Sequence, residues 1–174
     1  MRELVPRASV YGFLVNPANP NAEPQAKDVQ DAARNVGLQV RLGRGSNESE
    51  IEAAFEDFAQ QGIDALIVAA DTFISTHREE VIALAARHRF PTIYTVPVYV
   101  RSGGLISYTS RADNQETALR MGRYTGRVLS GEKPSDLPVI ISTRFQMAIN
   151  LKTAKELGLA VPQSLLERAD EVIE

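Results

Sequence analysis

The chain has 174 residues, of which 44% are hydrophobic and 24% charged, and its formal net charge is −3. This length supports one sizeable hydrophobic core. The absence of cysteine excludes disulfides, thiolate metal sites and a cysteine nucleophile, and the mild negative charge without a long basic run predicts no nucleic-acid partner.

The amino-terminal residues lack the apolar core of a signal peptide, and the sequence has no run of roughly 18 apolar residues. We therefore expect neither an export signal nor a membrane span in the chain as given. Residues 2–6 look like the last turn of a helix that runs into a proline, a pattern that predicts further sequence upstream.

The first predicted strand, residues 10–15, ends abruptly in three asparagines and two prolines. A helical pattern over residues 22–36 follows, with Gly37 as its stop. Ligands of open α/β sheets lie beyond the carboxyl ends of the strands, so this loop is a candidate ligand wall. Its asparagines suit a hydrogen bond to a solute carboxylate, but asparagine is also an ordinary turn and N-cap residue. The candidates are Asn16, Asn19 and Asn21.

The second strand-helix unit starts with residues 38–42, whose alternation predicts a half-buried or edge strand. Asn47 and Glu50 form a capping-box pattern ahead of a helix that ends at Gly62. We therefore expect a second helix of ordinary length between this strand and the next.

Residues 65–70 are continuously apolar, which is typical of a strand buried on both faces, and the run breaks at Asp71 and Thr72. Asp71 suits an ion pair with a ligand ammonium group, and it equally suits the cap of the helix that follows. Thr72 is at the same strand mouth and joins the candidate ligand contacts.

A third unit has Thr76 and Glu79 spaced as a helix cap, and Pro91 introduces a strand at residues 92–94. Three strand-helix repeats predict an α/β fold with three α-β-α layers, a mainly parallel sheet and right-handed crossovers. The loops after the three apolar strands should therefore meet at one edge of the sheet.

Three aromatic residues near this edge could form a flat apolar wall for an aromatic or branched solute, although aromatics near strand ends are more often core. They are Phe73, Tyr94 and Tyr99. From Val96 to Gly104 the sequence predicts an irregular connection to a short strand at residues 105–108. Ser107 and Tyr108 are candidates for either hinge packing or the pocket floor.

We expect a fourth helix that starts near Asp113 and stops at Gly131, with Leu119, Tyr124 and Leu129 facing inward. The remaining predicted elements are a strand at residues 139–141 and short helices near residues 151–157 and 164–172.

The two histidines, His77 and His88, are eleven positions apart on one predicted helix, about 16 Å along its axis, too far to share a metal. We expect them on the surface. Residues 43–46 lack the pattern of a phosphate-binding loop, and no nucleophile elbow occurs. The sequence thus predicts no catalytic residue, metal or cofactor, with an α/β enzyme that uses Asp71 as a less supported alternative.

Several motifs together resemble the C-terminal half of ABC-transporter solute-binding proteins of the type-I periplasmic fold, in the tryptophan/tyrosine-type group. The motifs are residues 4–6 (LVP), 15–23 (VNPANPNAE), 103–108 (GGLISY), 131–139 (GEKPSDLPV), 150–159 (NLKTAKELGL) and 168–173 (RADEVI). The chain departs from the family at Thr109, where glycine is usual, and at Ser142, where proline is usual. It also lacks the family's N-terminal region with the export signal and most of the other lobe.

The resemblance implies a periplasmic two-lobe clamp that closes on a small solute, an amino acid or related organic acid, and delivers it to an ABC permease of the inner membrane without chemistry. Residues 8–96 would form the ligand-binding lobe. Residues 97–174 would supply hinge or crossover segments and C-terminal helices that pack on the absent lobe. An effector-sensing module of a regulator or receptor is the alternative, because it can use the same fold.

On this reading the segment at residues 107–129 has lost its packing partner, and an exposed apolar face promotes self-association. We therefore expect a homodimer or strand exchange.

Overall fold

The computed structural model of the chain describes residues 1–110, 114–138 and 144–174, and of residues 114–117 only the backbone. The predicted strand at residues 139–141, the family departure at Ser142 and the predicted helix start at Asp113 lie outside the described residues.

The described chain contains strands, α-helices and a 3₁₀ turn at Pro134–Asp136. The strands are β1 (Val10–Val15), β2 (Gln39–Arg44), β3 (Ala65–Val68), β4 (Thr92–Tyr94), β5 (Ile106–Ser110), β6 (Phe145–Asn150) and β7 (Glu171–Ile173). The helices are α1 (Ala22–Asn35), α2 (Glu48–Gln60), α3 (Thr72–Thr76), α4 (Arg78–Arg87), α5 (Pro97–Arg101), α6 (Asn114–Leu129), α7 (Leu151–Glu156) and α8 (Gln163–Leu166).

The seven strands form one sheet in the order β2-β1-β3-β4-β5-β6-β7. The pairs β1/β2, β1/β3, β3/β4, β4/β5 and β6/β7 are parallel. In the first half of the chain each strand is followed by a helix that returns to the amino-terminal edge of the sheet. The predicted α/β fold with a mainly parallel sheet is confirmed.

Successive residues of β1 face opposite layers of the fold, as the alternation of a strand requires. Leu14 packs in the largest apolar cluster, with Phe55 and Phe58 of α2, whereas Phe13 packs with Ala26 of α1 on the other face. Helix α2 lies so close to the sheet that a Cβ on Gly43 would be 2.4 Å from Cζ of Phe58.

The capping predicted for α2 is present. Asn47 accepts a hydrogen bond from the backbone N–H of Glu50 at 3.0 Å, whereas the Glu50 carboxylate accepts from the N–H and hydroxyl of Ser46. These bonds lower the pKa of Glu50.

The third helical region begins earlier than predicted. Its cap is Asp71, and the region is divided at His77 into the short helix α3 and the longer helix α4. Thr76, predicted as the cap, is instead the last residue of α3, where its hydroxyl donates to the carbonyl of Phe73 at 2.7 Å.

Two predictions for the later part of the chain are wrong, and one strand was missed. The connection between Val96 and Gly104 contains helix α5 rather than irregular chain. Strand β6 was not predicted, and the tail predicted as one helix is the four-residue α8 followed by β7. Asp170 explains why the tail forms a strand. Its backbone N–H donates to the carbonyl of Met147 at 2.8 Å, and its carboxylate accepts from the N–H of Met147 at 2.9 Å, so the tail aligns with β6.

The chain divides into two compact units. The larger comprises Met1–Tyr108 and Met147–Glu174, and the smaller comprises Thr109–Gln146. We predicted a different division, with a ligand-binding lobe at residues 8–96 and crossover segments at residues 97–174. Because it concerns ligand binding and an absent partner lobe, this division stays a prediction.

In the smaller unit, helix α6 stops at Gly131 as predicted, where φ is +97°. The prediction that Leu119 and Leu129 face inward is wrong, since they are 58% and 83% exposed. Tyr124 donates its hydroxyl to the carbonyl of Pro138 at 2.7 Å. None of the helices in the described part of the chain combines the length and the apolar character that crossing a membrane requires.

Candidate functional site

The candidate site lies where three neighbouring parallel strands end. Strand β3 lies between β1 and β4, and register pairs such as Leu14 with Val68 bring their carboxyl ends to one edge. Asn16 follows β1 directly and Asp71 follows β3 after two alanines. The fold therefore brings two candidates together although 55 positions separate them in sequence.

The Asp71 carboxylate is the centre of a hydrogen-bond network. Asn16 donates from Nδ2 to both carboxylate oxygens at 3.3 Å, and Asn19 donates from Nδ2 to Oδ2 at 2.8 Å. The N–H of Ile74 donates to Oδ1 at 2.9 Å, which is the helix cap. Asp71 thus fixes the start of α3 and the positions of two asparagine side chains. We call Asn16, Asn19 and Asp71 the rim network.

The side-chain oxygens of the two asparagines shape their own loop. Oδ1 of Asn16 accepts from the N–H of Ala18 at 3.0 Å, and Oδ1 of Asn19 accepts from the N–H of Asn21 at 2.9 Å. These are Asx-type turns, so the asparagines have the ordinary turn-forming role of their residue type in addition to their contacts with Asp71. Asn21 is exposed and is the N-cap residue of α1, without a side-chain capping bond.

Helix α3 places the next two candidates beside the rim network. Thr72 is exposed, whereas Phe73 is half-buried and packs against the main apolar cluster. The ring of Phe73 lies 4.2 Å from the ring of His77, centroid to centroid. An exposed hydroxyl and an aromatic edge therefore stand next to the asparagine loop.

Tyr94 and Tyr99 lie beneath the edge and not on it. Their rings stack at 4.5 Å with an interplanar angle of 14°, and the residues are 2% and 1% exposed. Both tyrosines therefore occupy the core position that is usual for aromatic residues near strand ends.

Burial raises the pKa of Tyr94 and raises the pKa of Tyr99 to about 12. A hydrogen bond with the Ser75 side chain acts on the pKa of Tyr99 in the opposite direction. The Asp71 charge raises this pKa further, and the Arg78 charge lowers it.

The last two candidates are in β5. Ser107 is the register partner of Tyr94 and is fully buried, and its Oγ has no hydrogen-bond partner among the described residues. Tyr108 is half exposed. The turn before the strand requires glycine, because a Cβ on Gly104 would be 2.6 Å from Cε2 of Tyr94.

Sequence reasoning missed Ser75 and Arg78. The Ser75 side chain lowers the pKa of Tyr99. Arg78 is the first residue of α4, and its Nε is buried without a hydrogen-bond partner among the described residues. A signal was present in the sequence, since a cation is disfavoured at the amino end of a helix and is therefore unusual there.

The histidines are less exposed than predicted. The side chain of His88 is 12% exposed and packs against the rings of Phe55 and Phe90, and that of His77 is 26% exposed. His77 contacts Glu48 of α2 at 3.2 Å. The described residues contain no group of three or more histidine, aspartate or glutamate side chains able to hold a metal ion.

A cavity of about 140 Å³ lies at the opposite edge of the sheet from the rim network. It is bounded by α4, by the amino ends of β4 and β5 and by α7, with Arg89 and Glu156 among its polar lining residues. The Arg89 Nη2 donates to the carbonyl of Glu156 at 3.3 Å. Tyr94, one of the predicted site residues, also lines this cavity, so the cavity reaches the underside of the predicted site.

The sequence matches a family model described as ABC transporter substrate binding protein over residues 1–173. No curated protein sequence matches the chain significantly.

Solved structures with the same fold are found over nearly the whole chain. One is an ABC domain from Streptococcus pneumonia in complex with L-Trp, with 27% identity, a TM-score of 0.84 and coverage of 99% of this chain and 57% of that one. Another is a conserved domain protein from Vibrio cholerae, with 22% identity, a TM-score of 0.85 and coverage of 98% and 57%.

A third is a substrate binding protein with adhesive properties from Clostridium difficile, in its ligand-free, open form, with 22% identity, a TM-score of 0.73 and coverage of 98% and 56%. The chain thus spans between half and two thirds of the length of these relatives.

Proposed function

The chain belongs to the family of ABC transporter substrate binding proteins, and from this premise we propose that it holds a small solute for an ABC importer. The solute is an amino acid or a related organic acid, and it binds at the edge of the sheet that carries the rim network. The protein performs no chemistry on the solute, because it belongs to a family of binding proteins.

The observation that carries this proposal is the convergence of Asn16, Asn19 and Asp71. Their side chains meet from two loops, and Asn19 and Asp71 remain partly accessible. Asp71 positions both asparagines and supplies a negative charge for the ammonium group of the solute. Preorganised polar groups at strand ends are what small-solute sites of open α/β sheets use.

The remaining contacts surround this network. Asn21 and Thr72 offer exposed polar side chains, and Phe73 offers an aromatic edge. Tyr94 and Tyr99 support the floor of the solute site from below. Ser107 and Tyr108, in the neighbouring strand β5, complete this part of the site. We propose an aromatic or branched amino acid as the solute, and the L-Trp complex of the Streptococcus pneumonia protein supports the aromatic choice.

The partners follow from the family. We propose delivery to an ABC permease of the inner membrane, and a location in the periplasm, since substrate-binding proteins of ABC transporters work outside the cytoplasm. The family match favours transport over the alternative of effector sensing. The rest of the binding surface would come from a second lobe that closes on the solute.

The test is a binding screen with the 20 common amino acids and small carboxylates, read by calorimetry and by amide shifts in NMR spectra of the labelled chain. We expect at least one amino acid to bind and to shift the amides around Asn16, Asn19 and Asp71. Shifts confined to the opposite edge near Arg89, or no binding across the screen, would contradict the proposal.

A further inference from the structure

We infer that Arg78 binds the carboxylate of the solute and makes the site selective for acids over the corresponding amines. The inference rests on the proposed function, because it concerns the same edge of the sheet. It adds a residue outside the sequence-predicted candidates and a chemical requirement for the ligand.

The Arg78 guanidinium lacks the partners that a buried polar group usually has. Its Nε is buried and has no hydrogen-bond acceptor among the described residues. Its one ion pair joins Nη2 to Glu79 at 3.7 Å, a long contact to a neighbour whose side chain is 83% exposed. Because most buried polar groups in proteins are hydrogen-bonded, this Nε is a donor for which the described residues supply no acceptor.

Other arginines of this chain show what a structural arginine looks like here. Arg87, at the far end of the same helix, reaches Glu56 of α2 at 2.7 Å and Glu52 at 3.3 Å. Arg101 of α5 forms two bonds of 2.8 Å with Glu171 in β7. Each joins two elements through a carboxylate. Arg78 has no such carboxylate from another element among the described residues.

The surroundings of Arg78 place it at the proposed site. Asp71 caps α3, and α3 is followed after His77 by α4, whose first residue is Arg78. The charges of Asp71 and Arg78 both act on the pKa of Tyr99. The Asp71 carboxylate and the Arg78 guanidinium therefore belong to residues that flank one short helix. Asp71 belongs to the rim network, so the cation stands on the same edge of the sheet as the asparagines.

This pair of opposite charges complements an amino acid zwitterion. The ammonium group faces Asp71, and the carboxylate accepts hydrogen bonds from the guanidinium, whose planar fork matches a carboxylate in two-point geometry. The side chain of Arg78 is 34% exposed, so part of it is accessible to a solute.

The test compares three pairs of compounds that differ only in the carboxylate: L-tryptophan and tryptamine, L-tyrosine and tyramine, and L-leucine and isoamylamine. Each is added to the full ¹⁵N-labelled chain, and both the amides and the arginine Nε–H resonances are followed. We expect the amino acid that binds to shift the Arg78 Nε–H, and its amine to bind at least about tenfold more weakly, as a lost charged hydrogen bond predicts.

The variant Arg78→Gln should lose this preference, so that the amino acid binds about as weakly as its amine, and Arg78→Lys should keep part of it. Arg87→Gln is the matched control, because it removes the same charge from the same helix, and we expect it to retain the full preference. The wild-type comparison needs no variant to fold.

Two results would overturn the inference separately from the proposed function. If an amino acid and its amine bind equally well to the wild-type chain, the proposed function stands and the role of Arg78 fails. If Arg78→Gln retains the preference, the role fails likewise. If no compound of the three pairs binds the wild-type chain, an aromatic or branched amino acid as the solute is contradicted, and the inference falls with it.

Discussion

Asn19 donates a hydrogen bond of 2.8 Å from Nδ2 to Oδ2 of Asp71, although 52 positions separate the two residues in sequence. The bond joins the loop after β1 to the cap of α3. Because the same carboxylate also accepts from Asn16 and from the N–H of Ile74, one side chain sets the geometry of two loops.

Removal of this carboxylate should therefore destabilise the chain. For Asp71→Ala we expect a loss of about 1–3 kcal/mol, because the cap disappears and the asparagine amides lose their acceptor. Asp71→Asn keeps one oxygen for the cap and should lose less. Urea unfolding followed by circular dichroism measures both, with the exposed Asp57→Asn as control. In the binding screen, an unchanged solute affinity of Asp71→Asn would remove its proposed role.

Two glycines should respond in opposite directions to the same substitution. A Cβ on Gly43 would be 2.4 Å from Phe58 Cζ, whereas a Cβ on Gly122 in α6 meets nothing within 4 Å. Gly43→Ala should cost about 1–3 kcal/mol through overpacking. Gly122→Ala should stabilise its helix by about 0.5–1 kcal/mol. Unfolding curves of the two variants test this, and equal shifts of the same sign would contradict the packing of α2 on the sheet.

Acid should weaken the contact that anchors the start of β1. The backbone N–H groups of Ser9 and Val10 lower the pKa of Asp64 from its ordinary value of 3.8. A carboxylate with a lowered folded pKa stabilises above its unfolded pKa, and this contribution disappears as the pH falls below 3.8. We expect Asp64→Asn to flatten the acid limb of the stability curve. Asp28→Asn, an exposed change on α1, should leave it as in the wild type.

Alkali should destabilise the fold through Tyr99. Burial raises the pKa of Tyr99 to about 12 from an ordinary 10.0, so the folded protein holds this proton where the unfolded chain has released it. The contribution is complete below pH 10 and disappears as the pH rises to about 12. Tyr99→Phe should reduce the fall in stability between about pH 10 and about pH 12. Urea unfolding across that window, with tyrosinate absorbance as a second signal, measures the slope. An identical slope in both proteins would rule this out.

The apolar residues of α6 should promote self-association. Leu119, Met121, Val128 and Leu129 are 58%, 65%, 39% and 83% exposed. An apolar surface of this kind favours contact between copies of the chain. We expect sedimentation to show concentration-dependent dimers that Leu129→Glu weakens. Arg123→Gln changes the net charge by the same amount and serves as control. A compact monomer at high concentration would contradict the prediction.

The parallel sheet could be predicted because each strand of the first half carries its own signal. The continuous apolar run of β3 and the alternation of β2 reflect how many faces of each strand are buried. The edge that carries Asn16 and Asp71 followed from this topology. Strand β7 could not be predicted, since the bonds of Asp170 to Met147 place it beside β6 and no local pattern reports them.

The sequence by itself determined the alternation of strands and helices from β1 to β4, the edge at which asparagine and aspartate side chains gather, and the family motifs. These depend on local periodicity and on the rule that parallel strands end at one edge. Only the tertiary structure decided that Asp71 holds two asparagines and a helix cap at once, and that Tyr94 and Tyr99 stack beneath them. It also decided that Nε of Arg78 is buried without an acceptor among the described residues. Hydrogen bonds and burial between residues far apart in the chain depend on packing in three dimensions, which no short window of sequence records.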